Sequence, residues 1–259
     1  MARPRSSAGD PARTLALLWR DPVAVPKRGP ARRLDLDDVV AAATALADER
    51  GLDAVTMRAV AQAADVAPMT LYTYVPGKAE LLDLMLDAVY LAMPRPDLGG
   101  RPWRARATAV AEQNLALHLA HPWTVEVSTL RPPLGPGLMT KYEHELGAFD
   151  GLGLSDVQMD DCLTYLLGFV HTAARSTLDA AAARRESATD DAGWWSAVSP
   201  VLARVLDPAA YPLADRVGTA AGAAHGSAHD PDHAYRFGLA LTLDGLAAVV
   251  EALGASQGL

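Results

Sequence analysis

The 259-residue sequence is poor in several features that define large classes of proteins. It has one cysteine, Cys162, which excludes an intramolecular disulfide and any metal site built from several cysteines. It has no run of about 18 apolar residues, the length that a membrane-spanning helix needs. No apolar segment of roughly 7–15 residues follows the N-terminal arginines, as it would in a secretory signal peptide. We therefore expect a cytoplasmic protein without a membrane partner.

The motifs of common enzyme classes are also missing. There is no glycine-rich phosphate loop, no Gly-x-Ser-x-Gly nucleophile elbow and no metal signature. The histidines and acidic residues have no spacing that requires chemistry. We expect no enzymatic activity and no cofactor. Half of the residues are hydrophobic, which is enough to bury a sizeable core in one large domain or two small ones.

Charge is unevenly distributed along the chain. The net charge is −8, but residues 1–33 carry +6 and residues 34–259 carry −14. Proline and glycine interrupt residues 25–33, so no regular element is predicted there. We expect residues 1–33 to form a flexible basic arm. Its apolar residues Leu15, Leu17, Leu18 and Trp19 can form a helical turn, whose docking position the sequence does not specify.

Residues 56–78 have the pattern of two short helices joined by a tight turn. Thr56 can cap the first helix, and Pro68 suits the first position of the second. Asp65 lies where the chain must reverse, since Asp tolerates a left-handed backbone. Leu71 is predicted to face the core. The second helix then exposes hydroxyls, methyl groups and aromatic rings, which suits the DNA major groove.

The flanking segments are also predicted to be helical. A helix capped by Asp35 or Asp37 and ended by Gly51, together with a helix at residues 78–93, completes a four-helix unit at residues 34–93. Helices are predicted at residues 103–120, 138–149, 155–184, 194–206 and 231–253, with a short element at 123–130. Residues 217–230 are rich in Ala, Gly and His without periodicity and are predicted to form a mobile loop. No strand pattern is present, so the predicted fold is all-α.

At residues 34–93 the chain resembles the TetR family of bacterial repressors. The resemblance rests on three segments, LDLDDVVAAATALADERG, TMRAVAQAADV and TLYTYVPGKAELL. A weaker similarity to the tetracycline-repressor type of C-terminal domain rests on HPWTVEVSTLRPPLGPG and YLLGFVHTAARS. Asp65 stands where the family usually has Gly. Ala67 stands where the family often has a capping Ser, a loss of about 1 kcal/mol.

The resemblance implies an N-terminal helix-turn-helix domain at residues 34–93 and a helical ligand-binding and dimerisation domain at residues 94–259. It implies that the second helix of the motif enters the major groove. Arg58 is the predicted direct reader of guanine, and Lys78 the predicted phosphate contact. Tyr74 has two alternatives, core packing and phosphate contact. The candidate DNA contacts in this domain are Thr56, Met57, Arg58, Pro68, Met69, Thr70, Tyr72, Thr73, Tyr74 and Lys78.

Residues 34–93 carry a net charge of −7, so this domain alone is poorly suited to a polyanion. We expect Lys27, Arg28, Arg32 and Arg33 to supply the missing positive charge. The seven residues from Lys27 can span roughly 23 Å, enough to reach a neighbouring minor groove or follow phosphates. The alternative is a solvated leader without a DNA contact.

Three helices around residues 102–150 mix polar groups with apolar neighbours, as ligand pockets do. By resemblance, this region holds a small-molecule cavity. His118 can also be a hydrogen-bonded core residue, and with His121 it gives a weak metal signal that we do not adopt. Met139, Tyr142 and Tyr165 can equally be core. The candidate ligand contacts are Asn114, His118, Trp123, Met139, Tyr142 and Tyr165.

The two long helices near the C-terminus suggest a four-helix interface between two copies of the chain. Leu239, Leu243, Leu246 and Val250 form one apolar stripe on the last helix. A reader of palindromic DNA needs such a dimer. The predicted function is a homodimeric repressor that releases a double-stranded DNA operator on binding a small hydrophobic effector. The alternative is an effector-independent DNA-binding protein or activator regulated by a partner.

Overall fold

The computed structural model describes residues 4–21, 35–187 and 189–257, with side chains described up to residue 251. Within these residues the chain is helical and has no strand. Two short 3₁₀ helices cover Leu52–Ala54 and Pro122–Val125. The α-helices are α1 (Pro11–Leu18), α2 (Leu36–Arg50), α3 (Met57–Ala63), α4 (Pro68–Leu71), α5 (Lys78–Ala92), α6 (Trp103–Ala120), α7 (Pro136–Leu146), α8 (Asp156–Glu186), α9 (Asp191–Val205), α10 (Pro212–His225) and α11 (Pro231–Gln257).

The local signals of the helix-turn-helix motif are confirmed. The Thr56 side chain accepts a hydrogen bond from Ala59 N at 3.1 Å and so caps α3. Asp65 adopts a φ of 54°, the left-handed conformation predicted for the turn. Pro68 is the first residue of α4, and Ala67 provides no side-chain cap. The turn chemistry of residues 56–78 therefore folds as the sequence indicates.

In the part of the chain that the structure describes, the buried apolar residues form two clusters. The first joins α1, α2, α3, α4 and α5 and also takes in Leu117, Trp123 and Val127. The second joins α6, α8 and α11 around Phe149 and Leu166. The first cluster therefore extends past residue 93, and helices α2 to α5 share their core with the beginning of the C-terminal region.

The prediction of a flexible arm is wrong for residues 4–21. Leu17 and Leu18 on α1 are each 2% exposed and pack into the first cluster with α5. Ser6 N donates to Ser128 O at 3.1 Å, and Ser128 N donates to Pro4 O at 2.8 Å. Trp19 Nε1 donates to the Leu134 carbonyl oxygen at 2.8 Å. We call residues 4–21 the N-terminal strap, because they cross α5 and reach the 128–134 loop.

One prediction for the C-terminal region is wrong for most of its residues, and the predicted dimer interface is wrong in the face of the last helix that it names. Most of the predicted mobile loop at residues 217–230 is helical, since α10 runs to His225 and ends at Gly226 in the left-handed conformation. Leu239, Leu243 and Leu246 are 4–8% exposed and pack into the chain's own second cluster. That face of α11 is therefore covered within one copy of the chain.

None of the helices among the described residues is both long and apolar enough to cross a membrane.

Candidate nucleic-acid interface and effector region

The two helices of the motif present an open surface, which we call the reading surface: Arg58, Pro68, Met69, Thr70, Tyr72 and Thr73. Met69 is 76% exposed and Tyr72 is 45% exposed, although both are apolar or aromatic. The other members are also exposed. Beneath them, Leu71 is fully buried and fixes the orientation of α4. The surface is thus held on a packed helix while its side chains remain available.

The other predicted DNA contacts differ in burial, and several already have hydrogen-bond partners within the protein. Tyr74 is 7% exposed and belongs to the first cluster, so the structure favours core packing over phosphate contact. Thr56 is exposed and its oxygen caps α3, while Met57 is half-buried against the core. Thr73 Oγ1 donates to Thr70 O at 2.7 Å. Lys78 Nζ donates to Leu52 O at 3.1 Å, a contact that ties α5 to the 3₁₀ helix after α2.

A cleft beside the reading surface contains an exposed polar residue that is not among the predicted DNA contacts. Gln62 is exposed on α3 and lines this cleft together with Arg58 and Pro68. Arg58 and Gln62 are four residues apart and therefore share one face of the helix. Gln can form two hydrogen bonds with adenine. The four-residue spacing from Arg58 was the sequence signal by which Gln62 could have been identified as a candidate DNA contact.

Lys27, Arg28, Arg32 and Arg33 lie outside the described residues. Their contact with DNA remains a prediction.

Helix α5 carries two carboxylates that join it to other parts of the chain. Asp87 accepts from Gly137 N at 3.1 Å and from Leu138 N at 2.9 Å, at the start of α7. Burial raises the pKa of Asp87, and these N–H groups oppose the rise. Asp83 accepts from Ser7 N at 2.8 Å, and burial raises its pKa to about 6. In the sequence, the signal for these two contacts was a pair of acidic residues four positions apart in an apolar helix.

Asp48 on α2 forms a second junction with the C-terminal region. Its Oδ1 lies 2.8 Å from Trp123 Nε1 and 2.8 Å from His121 Nδ1. Trp123 is fully buried in the first cluster. A predicted ligand contact, Trp123, therefore packs between α2 and α6 rather than among the other predicted ligand contacts.

A buried polar network occupies the predicted effector region. Asn114 Nδ2 donates to Glu145 Oε1 at 2.5 Å, and Lys141 Nζ donates to Glu145 Oε2 at 2.7 Å. Lys141 also lies 5.5 Å from the ring centroid of Tyr90 on α5. Asn114, Lys141 and Glu145 are each at most 6% exposed. The network connects α5, α6 and α7, and Asn114 already has hydrogen-bond partners within it.

His118 is a neutral residue in its present surroundings. Burial, followed by the charges of His171 and Lys141, lowers its pKa to about 3. Its Nδ1 lies 2.8 Å from Thr124 Oγ1, whose proton goes to the His121 carbonyl oxygen. The Nδ1 atom of His118 is therefore the donor, and Nε2 is left as an acceptor. The His171 ring meets it edge-on at 5.6 Å.

The structure does not gather the other predicted ligand contacts around His118 in one buried cavity. Met139 is 37% exposed, Tyr142 is 38% exposed and Tyr165 is 62% exposed. Tyr142 donates to Asp160 at 2.8 Å on the surface between α7 and α8. These three side chains stay available to a ligand or to a second copy of the chain. Among the described residues, no group of His, Cys, Asp and Glu is arranged to hold a metal ion.

The sequence matches two family models. Residues 39–85 match the model described as "Bacterial regulatory proteins, tetR family". Residues 95–250 match the model described as "Tetracyclin repressor-like, C-terminal domain". Together the two models cover the motif, the effector region and most of α11.

Individual relatives agree with the family models. The chain is 43% identical over 246 residues to the HTH-type transcriptional repressor DrrR1 of Streptomyces coeruleorubidus, covering 95% of this chain and 88% of that protein. The structure of Streptomyces coelicolor ActR in complex with actinorhodin matches with a TM-score of 0.69 at 25% identity, over 85% of this chain and 99% of the other. ActR in complex with (S)-DNPA matches with a TM-score of 0.61 at 26% identity, over 84% and 98%.

Proposed function

The chain belongs to the TetR family of bacterial regulatory proteins, and we propose that it acts as a homodimeric repressor that releases its operator when a small hydrophobic effector binds. The operator is a pseudo-palindromic double-stranded DNA site, read by the two reading surfaces of the dimer. DrrR1 is a transcriptional repressor by name, and ActR binds small molecules in two of its solved structures. These relatives support the same two activities for this chain.

The observation that carries the proposal is that α5 is bonded both to the 3₁₀ helix after α2 and to the start of α7. Its first residue, Lys78, is hydrogen-bonded beside the DNA-binding helices, and Asp87 is bonded to the start of α7. Tyr90 contacts Lys141 of the polar network. An effector that favours one arrangement of α6 and α7 would therefore favour one position of α5. Release follows only if the effector binds the two states with different affinity.

The DNA-binding part is tested with the intergenic DNA beside the coding sequence. Arg58→Ala should weaken binding to the site by about 1–3 kcal/mol and relax the preference at one base pair, because one bidentate guanine contact is lost. Arg101→Ala removes the same charge from an exposed position in the C-terminal region and serves as control. Equal losses in both variants would contradict a specific role for Arg58.

The basic arm is tested by deleting residues 22–33, which leaves the strap in place. If Lys27, Arg28, Arg32 and Arg33 contact phosphates, the slope of log K against log salt should flatten by roughly 3–4 per arm. An unchanged slope would show that these residues are solvated and that the arm does not contribute to affinity.

The effector part is tested by thermal shift with hydrophobic metabolites, followed by operator titration. A ligand at 100 times its dissociation constant stabilises the protein by about 2.7 kcal/mol. The same compound should lower operator affinity. If compounds bind without changing operator affinity, the alternative of partner-regulated DNA binding becomes the better account.

A dimer interface is proposed on the outer face of α11, opposite the stripe that packs into the core. Phe237 is 60% exposed and Leu241 is 56% exposed, although both are apolar. On α8, Tyr165 is 62% exposed. Leu241→Glu should shift the sedimentation coefficient to that of a monomer at micromolar concentration. Leu130→Glu, at a side chain that is 94% exposed in a loop, is the matched control and should remain dimeric.

A further inference from the structure

A pocket of about 800 Å³ lies at the junction of the strap, the DNA-binding helices and the C-terminal region. Residues of α2 and α5 contribute most of its lining, and Leu18 of α1 also lines it. His121 and Pro136 contribute from the C-terminal region. None of the six predicted ligand contacts lines it. Its size is within the range of small-molecule sites, which is about 300–1,000 Å³.

The lining is mainly aliphatic, with a few polar groups at defined positions. Thr44 lines the pocket, and its hydroxyl is buried without a hydrogen-bond partner among the described residues. A threonine in a helix has two common χ1 rotamers, so rotation would offer this hydroxyl to a ligand. An apolar pocket with few placed polar groups is the usual composition of a binding site for an organic molecule.

The charged groups that face the pocket favour a cation over an anion. The charges come from Asp37 and Asp48 on α2, Asp87 on α5 and Arg20 after α1, with His121 beside Asp48. Arg20 is already paired with Asp37. Asp87 already accepts two backbone hydrogen bonds. Asp48 also has partners, since it accepts from Trp123 Nε1 and His121 Nδ1, but a carboxylate offers about four lone-pair sites. Three carboxylates face one guanidinium in this pocket, so its lining is negatively charged, and the Asp48 side chain, which is 30% exposed, can accept a further bond from a positively charged ligand.

We propose that this junction pocket is a second small-molecule site, separate from the effector region, and that it binds an apolar ring compound carrying an amine. The rings lie against the aliphatic wall of α2 and α5, and the amine lies toward Asp48. Because α1, α2, α5 and the residues at 121 and 136 all contribute, an occupied pocket holds the strap, the DNA-binding helices and the C-terminal region in one arrangement. None of the six predicted effector contacts belongs to this site, and ligand binding to it can be measured without DNA.

The probe is rhodamine 6G, a cationic dye with a three-ring system, titrated against the full chain and followed by fluorescence anisotropy. Fluorescein, an anionic dye with a three-ring system, tests the sign of the charge. We expect saturable binding of rhodamine 6G and at least about tenfold weaker binding of fluorescein, which corresponds to 1.4 kcal/mol. No DNA is present, so failure of the operator proposal leaves this result unaffected, and the reverse also holds.

Two variants locate the probe in the pocket. Ala45→Trp places a large ring in the pocket from an exposed position on α2 and should weaken rhodamine 6G binding at least about tenfold, because the dye and the ring compete for one volume. Ala41→Trp places the ring in the pocket from one helical turn earlier, and it is used in place of Ala45→Trp if that variant does not fold. Ala105→Trp, at an exposed position on α6 away from the pocket, should bind as the unchanged chain does.

A third variant tests the role of charge at constant volume. Asp48→Asn should weaken rhodamine 6G binding about fivefold or more while fluorescein binding stays equal or improves. Thermal unfolding checks that each variant is folded before titration. The proposal is overturned by absence of saturable binding, by unchanged binding in Ala45→Trp, or by equal affinity for the two dyes.

Discussion

The carboxylate of Asp87 in α5 accepts a hydrogen bond from the backbone N–H of Gly137 in the first turn of α7, at 3.1 Å. The two helices approach closely here because residue 137 has no side chain. A Cβ built on Gly137 would overlap the carbonyl oxygen of Asp87 and lie 2.9 Å from Leu91 N. Both groups are backbone atoms of a helix and cannot rotate away. This contact fixes α5 against the C-terminal region.

Gly137→Ala should therefore force α5 and α7 apart. We expect a loss of about 1–3 kcal/mol in the free energy of unfolding, the usual cost of overpacking. Urea denaturation measures it. Gly218→Ala on α10 is the matched control, since nothing lies within 4 Å of the position that its new methyl group would take. The control should gain up to about 1 kcal/mol from helix propensity. Equal effects in the two variants would contradict the close approach.

Asp83 should make stability depend on pH. It is fully buried and its folded pKa is raised to about 6, above that of an unfolded Asp near 3.8. The folded state thus prefers the protonated form. Its stabilising contribution is complete below about pH 4 and is lost as the pH rises through about 6, by at most about 3 kcal/mol.

Asp83→Asn removes this titration and keeps an oxygen for Ser7 N. Urea denaturation at pH 4.5 and pH 7.5 measures the free energy of unfolding. Relative to the unchanged chain, that of the variant should be higher at pH 7.5 than at pH 4.5. The buried amide can lower stability at every pH, so the test is the difference between the two pH values rather than either value alone. Parallel stabilities would contradict a raised pKa at Asp83.

The strap should contribute to the stability of the whole chain. Leu17→Ala removes a side chain that is 2% exposed in the first cluster, and we expect a loss of about 2–5 kcal/mol. Leu15→Ala, on the same helix at 43% exposure, should lose less than about 1 kcal/mol. Chemical denaturation compares the two variants. Similar small losses would mean that α1 does not pack on α5 in solution.

Asp65 should be replaceable by glycine with a gain in stability. Its φ of 54° is costly for a residue with a Cβ, by about 1–2 kcal/mol. Asp65→Gly should stabilise the folded chain by about 0.5–1 kcal/mol after the entropy of the unfolded chain is included. Asp65→Ala should destabilise it, because Ala adopts the left-handed conformation less readily than Asp does. A thermal melt in which Ala and Gly behave alike would contradict this conformation.

The amino-acid sequence by itself determined the features that depend on neighbouring residues. The Thr56 cap, the left-handed Asp65 and the first-position Pro68 each act within a few residues, so the helix-turn-helix could be predicted from them. The same holds for the bounds of α6, which match the prediction. The exposed side chains of α4 followed from its helical period.

Tertiary structure alone decided the features that join distant parts of the chain. Ser6 meets Ser128, which is 122 residues away, and no local pattern indicates that pairing. The Leu239 stripe is apolar whether it faces α8 of its own chain or a second copy, and only packing selects the partner. Trp123 and Asn114 are polar-tipped or polar residues whose partners, Asp48 and Glu145, come from other helices. Local energies specify where helices begin and end, whereas long-range burial decides which faces meet and where pockets remain.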